Sequence, residues 1–98
     1  MEQYILRIER IDIIGIPTQE GVKTIDKILA TLETPQGLYC IHQRVPRTEI
    51  KNLIDLIGKK VKIDPECISQ EYDIVDGQVY LVLTPKFYND IKKSYANK

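Results

Sequence analysis

From Tyr4 onward apolar and polar positions alternate, so that Tyr4, Leu6 and Ile8 share one face of an extended segment while Arg7 and Glu9 take the other. The phase then slips. Ile11 and Ile13 continue the apolar set one residue out of step across Glu9-Arg10, which predicts either a bulge at that point or a strand bent to serve two faces. The strand is expected from Tyr4 to Ile14, with Gly15-Ile16-Pro17 ending it.

Val22 to Glu33 fits two periods. Val22, Ile25, Ile28, Leu29 and Leu32 form a helical stripe, whereas Ile28, Ala30 and Leu32 alternate, and the β-branched content favours a strand. Thr34-Pro35-Gln36-Gly37 tips the balance to strand, because proline and glycine occupy the places a four-residue reverse turn prefers. Leu38 to Val45 is then the returning strand, with Tyr39, Ile41 and Val45 on one face and Leu38, Cys40, His42 and Arg44 on the other. Pro46 breaks it.

A helix is expected from Thr48 to Ile57. Thr48 serves as N-cap, Ile50, Leu53, Ile54 and Ile57 recur on one face, Asp55 and Lys59 form an i,i+4 pair, and Gly58 closes the last turn. Lys60 to Ile63 reads as a short strand cut by Asp64-Pro65. Ile68 to Val75 and Gln78 to Thr84 form a hairpin whose Asp76-Gly77 turn sets the register: Ile74 opposite Val79, Tyr72 opposite Leu81 and Gln70 opposite Leu83 on the core face, with Asp73 opposite Tyr80 and Glu71 opposite Val82 behind. Thr84-Pro85 starts a terminal helix running to about Tyr95, with Phe87, Tyr88, Ile91 and Tyr95 as its apolar side. This helix is expected to cover Tyr80 and Val82 on the outer face of the hairpin.

Three strands, a helix and further strands follow the order of an OB-fold, with an extra strand and a terminal helix. The expected fold is therefore α+β: a single domain over residues 1–98, built on a curved antiparallel β-sheet or a partly open OB-like barrel, with one central helix and a short C-terminal helix. The length and the 43% hydrophobic content allow one such core without a metal or a disulfide network. Cys40 and Cys67 belong to no CxxC pair and read as free thiols; a bridge between them would require spatial proximity. The N-terminus lacks a basic, apolar and small-residue succession and no apolar run is long enough to span a bilayer, so the expected location is cytoplasmic.

Candidate chemistry is sparse. His42 is the only histidine, which removes paired-histidine metal sites, and a dyad of Cys67 with His42 has no local support. Asp64, Glu66, Glu71, Asp73 and Asp76 form an acidic run, but Pro65 and the strand after it work against a compact calcium loop. The sequence thus points to a non-enzyme with no cofactor and no metal.

Basic and acidic residues number 14 each, so no global field draws in a polyanion. Placement still matters. Arg44, Arg47, Lys59, Lys60 and Lys62 crowd around the central helix, and with Tyr39 and His42 as base-stacking rings they form a candidate site for single-stranded DNA or RNA. The alternative is a protein-protein interaction module, homodimeric in one form, using Tyr80, Val82, Phe87, Tyr88 and Tyr95 of the C-terminal hairpin and helix.

Overall fold

The computed structural model describes residues 4–96, with side-chain surroundings given through residue 93. Six strands and two α-helices follow one another as β1 (Tyr4–Thr18), β2 (Gly21–Thr34), β3 (Gly37–Val45), α1 (Arg47–Ile54), β4 (Lys60–Ile63), β5 (Ile68–Val75), β6 (Gln78–Leu83) and α2 (Pro85–Ala96), with a 3-10 turn at Pro65–Cys67. The strands make one sheet in the order β4-β1-β2-β3-β6-β5. Neighbours are antiparallel except β3 and β6, which run parallel.

The α+β architecture agrees with expectation, but the sheet is mixed and open rather than antiparallel and barrel-like. β4 and β5 stand at its two ends. The physical cause is the extra strand: β5 occupies the outer side of β6 and leaves β4 at the far edge, beside β1.

The expected phase slip is a β-bulge. Ile8 lies opposite Ala30 and Arg10 opposite Leu29, so Glu9 is the inserted residue. Strand β1 nonetheless continues through Gly15-Ile16-Pro17 to Thr18, because β2 pairs with it along the whole length and Pro17 faces Val22. The segment from Val22 to Glu33 is strand, as its turn chemistry indicated. Since β3 pairs with β2 only as far as Asp26 and β4 pairs with β1 only over Tyr4 to Arg7, the far end of the β1–β2 hairpin is a two-stranded ribbon. The ribbon helps give the molecule its 51 Å long dimension.

The buried apolar strand residues lie on one face: Leu6 and Ile8 of β1, Ile28, Ala30 and Leu32 of β2, Ile41 and Val45 of β3, and Leu83 of β6. Leu53 of α1, Cys67, and Phe87 and Ile91 of α2 close over them. Helix α1 starts one residue earlier and ends three residues sooner than its pattern predicted. Extended Pro46 occupies the N-cap place and no side chain caps the helix, so Thr48 is within the helix instead of before it. The early start has a partner. Arg47 reaches across to the buried Asp26 of β2 (Nε to Oδ2 3.2 Å, Nη2 to Oδ1 3.3 Å) and to Thr24 Oγ1 at 3.0 Å. Glu49, also buried, accepts Lys92 Nζ from α2 at 2.8 Å, tying the two helices together.

The Asp76-Gly77 turn has both residues at positive φ, 51° and 79°, as a tight two-residue hairpin requires. Ile74 opposite Val79, Tyr72 opposite Leu81 and Asp73 opposite Tyr80 are as expected. Gln70 does not face Leu83, because an irregularity between Ile68 and Tyr72 brings Ile68 there. Helix α2 follows directly after β6 and packs over its root, so Tyr72, Ile74 and Val79 at the tip remain exposed on what was expected to be a core face.

The join between the β4-β1-β2-β3 meander and the β6-β5 hairpin is held by few backbone groups; Cys40 opposite Tyr80 is its single register pair among the described residues. Gln43 supplies what the ladder lacks. Its Oε1 accepts the Leu83 N–H at 2.6 Å, and its Nε2 lies 3.5 Å from the Leu83 carbonyl. Replacing Gln43 with Ala leaves a buried N–H without an acceptor, and the expected loss is about 1–3 kcal/mol in urea unfolding; a change within experimental error would show that the seam does not depend on this amide.

Candidate nucleic-acid interface

Because both helices cover one side of the sheet, the other side carries no packed layer. Strand register decides what stands there. Lys62 pairs with Ile5 and Lys60 with Arg7; Arg7 pairs with Thr31; beyond the bulge Arg10, Asp12, Ile14 and Ile16 share that face with Leu29, Lys27, Ile25 and Lys23; and Arg44 pairs with Lys27. The uncovered face of the meander therefore presents Lys60, Lys62, Arg7, Arg10, Lys23, Lys27 and Arg44 against the carboxylates Glu9, Asp12 and Glu33. The meander part of this face is therefore net cationic in a molecule of zero formal charge, while β5 places Asp73, opposite Tyr80, at its other end.

Part of that charge is internally satisfied. Arg10 Nε lies 3.0 Å from Asp12 Oδ1, and Arg7 Nε lies 3.5 Å from Glu9 Oε1, which also receives the Thr31 hydroxyl at 3.4 Å. Among the described residues, Lys60, Lys62, Lys23, Lys27 and Arg44 form no salt bridge. A shallow depression of about 280 Å³ sits between β4 and β3 on this face, lined by the apolar Ile5 and Leu38, by Thr31, and by Arg7, Lys60, Glu9 and Glu33.

Of the residues singled out in the sequence, Arg44, His42, Lys60 and Lys62 come together on this face. Tyr39 does not: it pairs with Leu32 and belongs to the helix-covered side. Arg47 is likewise on that side and its guanidinium is committed to Asp26 and Thr24. Lys59 is exposed in the turn before β4. His42 is half-buried rather than a free ring. Its Nε2 is buried without a hydrogen-bond partner, 3.8 Å from Asp12 Oδ2, and its ring centroid is 6.3 Å from that of Tyr80. Tyr80, expected in the alternative partner surface, stands opposite Cys40 and so joins this face.

The residues grouped as an alternative partner surface are separated by the sheet. Tyr80 and Val82 lie on the uncovered side, whereas Phe87 is fully buried and Tyr88 packs half-buried against the core. Helix α2 does not cover Tyr80 and Val82, because its Phe87 and Ile91 stripe docks on Leu83 and Cys67 of the opposite side. The side chain of Tyr95 lies outside the described residues.

Arg7, Arg10, Lys23 and Lys27 were missed because they are scattered over the first 27 residues and only register gathers them. Their signal was present as the polar phase of the β1 and β2 alternation.

Among the described residues no group of histidine, cysteine and carboxylate side chains could hold a metal ion, and no helix is long and apolar enough to cross a membrane. Cys40 and Cys67 are both free thiols. Cys67 and His42 lie on opposite sides of the sheet, so no dyad forms. Burial, with a hydrogen bond to Asp90 and that carboxylate's charge, pushes the Cys67 thiol up to about 11. Asp90 itself is held low by its hydrogen bond to Lys86, 2.9 Å away. Burial raises the Tyr88 phenol, opposed by a hydrogen bond with Gln43.

Comparison with protein-family models, with curated proteins and with solved structures finds no match to this chain.

A raised pKa means that the Cys67 thiolate is scarce below about pH 11, and the buried sulfur is also sterically closed. Iodoacetamide at pH 8 is therefore expected to modify the native protein at Cys40 and to spare Cys67 until denaturant is added. Mass spectrometry of peptides checks this, and equal labelling of both cysteines in the folded protein contradicts it.

Proposed function

We propose that this protein is a non-enzymatic binder of single-stranded nucleic acid, which it holds on the uncovered face of the sheet. The observation that carries this reading is the register that sets Lys60, Lys62 and Arg7 in one group and Lys27 and Arg44 in another on the same face, which neither α1 nor α2 covers. Phosphates are neutralised by the lysines and arginines, releasing counterions and making affinity salt-dependent. The depression between Ile5 and Leu38 offers an apolar seat whose rim carries Arg7 and Lys60 beside the carboxylates Glu9 and Glu33, and Tyr80 supplies an aromatic ring farther along the same face. Strand faces rather than helices serve as the platform, as they do in OB-folds, and this role needs no closed barrel.

The binding set is Lys60, Lys62, Arg44 and His42 together with Arg7, Lys27 and Tyr80; Lys59 stands exposed in the turn before β4, and Tyr39 and Arg47 lie on the helix-covered side.

Fluorescence anisotropy with a labelled single-stranded oligonucleotide at low salt tests the proposal. Lys60→Glu with Lys62→Glu is expected to weaken binding about tenfold or more and to flatten the dependence of log affinity on log salt, while Lys51→Glu on the opposite layer changes it less than about twofold. No binding by the natural chain at low salt, or equal losses from both charge changes, would overturn the assignment.

A further inference from the structure

Every sheet edge exposes peptide groups that can pair with another strand, and folded proteins blunt such edges with short strands, charges, prolines or bulges. Two edge segments here are blunted in these ways. β4 is four residues long and carries Lys60 and Lys62; β5 carries Glu71 and Asp73 and has an irregular register between Ile68 and Tyr72. The third is different. On the side away from β2, β1 has β4 beside it only over Tyr4 to Arg7, and the Ile8 carbonyl is taken by the Gly58 N–H at 2.8 Å. From Glu9 to Thr18 that edge has no strand against it among the described residues. The free stretch begins at the Glu9 bulge and carries Arg10 and Asp12, which pair with each other, but from Ile13 to Ile16 it is uncharged, and Ile13 is 69% exposed.

Hydrogen-bond phase identifies which peptide groups are free. The two-residue turn at Gln19-Glu20 makes Thr18 and Gly21 a closely bonded pair, so Ile16, Ile14, Asp12 and Arg10 turn their amide groups inward to β2. Ile11, Ile13 and Gly15 therefore point both N–H and C=O outward, and Pro17 offers a carbonyl alone. The Ile8 carbonyl, on the other side of the bulge, points outward as this phase requires.

This set is complementary to itself. We infer that the free edge of β1 pairs antiparallel with the same edge of a second copy of this chain, about a two-fold axis at Ile13. Only that centre maps Ile11, Ile13 and Gly15 onto one another, giving Ile13 opposite Ile13 and Ile11 opposite Gly15 with about six hydrogen bonds in all. Centring at Gly15 sets Ile13 against the missing N–H of Pro17; centring at Ile11 runs the second strand into the bulge at Glu9. Centring at Asp12 opposes two like charges. In the Ile13 register Arg10 meets Ile16 and Asp12 meets Ile14, so no like charges face each other. Ile13 is also the midpoint of the span between Gly58 at Ile8 and the turn after Thr18. A second copy is the natural occupant, because the two-fold satisfies every outward N–H with an outward C=O of the same set.

The axis stands normal to the sheet, so the two uncovered faces end up on the same side of one continuous sheet. Dimerisation does not depend on nucleic-acid binding and is read without nucleic acid.

Sedimentation equilibrium from micromolar to sub-millimolar concentration is the test. The natural chain is expected to reach twice its 11.4 kDa, while Ile13→Lys, which puts two like charges at the axis, and Ile13→Pro, which removes two of the interchain bonds, are expected to stay monomeric. Ile13→Lys changes an exposed side chain and guards against misfolding of the proline variant. Val79→Lys, on the hairpin at the other end of the sheet, is expected to remain dimeric. A monomer mass for the natural chain throughout the range, a dimer mass in both Ile13 variants, or a monomer from Val79→Lys would overturn the inference.

Discussion

One inserted residue, Glu9, sets the two-sidedness of this protein. Side chains alternate along a strand, so if the same residues ran through without a bulge Arg10 and Asp12 would follow Leu6 and Ile8 onto the covered face, and Ile11 would turn away from it. With it, Ile11 lies opposite Ile28 and packs against the core, while Arg10 and Asp12 pair with each other on the uncovered side. The same insertion decides which amides of β1 face outward beyond Ile8. Core, cationic face and free edge are consequences of one bulge.

The remaining architecture depends on how separate pieces are fastened over that sheet. Three polar contacts do much of this work where backbone ladders are short. Gln43 bonds the Leu83 peptide across the parallel seam, Arg47 ties the first turn of α1 to Asp26, and Lys92 ties α2 to Glu49. Each places one charged or amide side chain against a buried polar group that would otherwise be desolvated without compensation. Because all three act on the helix side, both helices are held there and the opposite face is left to solvent and to whatever the lysines attract.

The strands and turns were readable because their causes are local. Asp76-Gly77 meets the positive φ that a tight hairpin needs, Pro35 and Gly37 favour a reverse turn, and the step from Ile8 to Ile11 breaks the period by one residue. Expectations failed where a distant partner decided. β1 passes through Gly15 and Pro17 since β2 escorts it, α1 begins at Arg47 since Asp26 is waiting, and Tyr39 leaves the proposed site since its strand turns it toward the helices.

The sequence by itself determined the elements, the bulge, the turn types and the alternation within each strand, all of which follow from the chemistry of residues a few positions apart. Tertiary structure decided which face the two helices cover, and therefore that cations as distant in sequence as Arg7, Lys27, Arg44 and Lys62 share one surface. It also decided that β5 lies outside β6 and keeps the sheet open. Neither outcome is encoded in a local pattern, because each rests on pairing and docking between segments tens of residues apart, where alternation says that a strand has two faces and not which one will be buried.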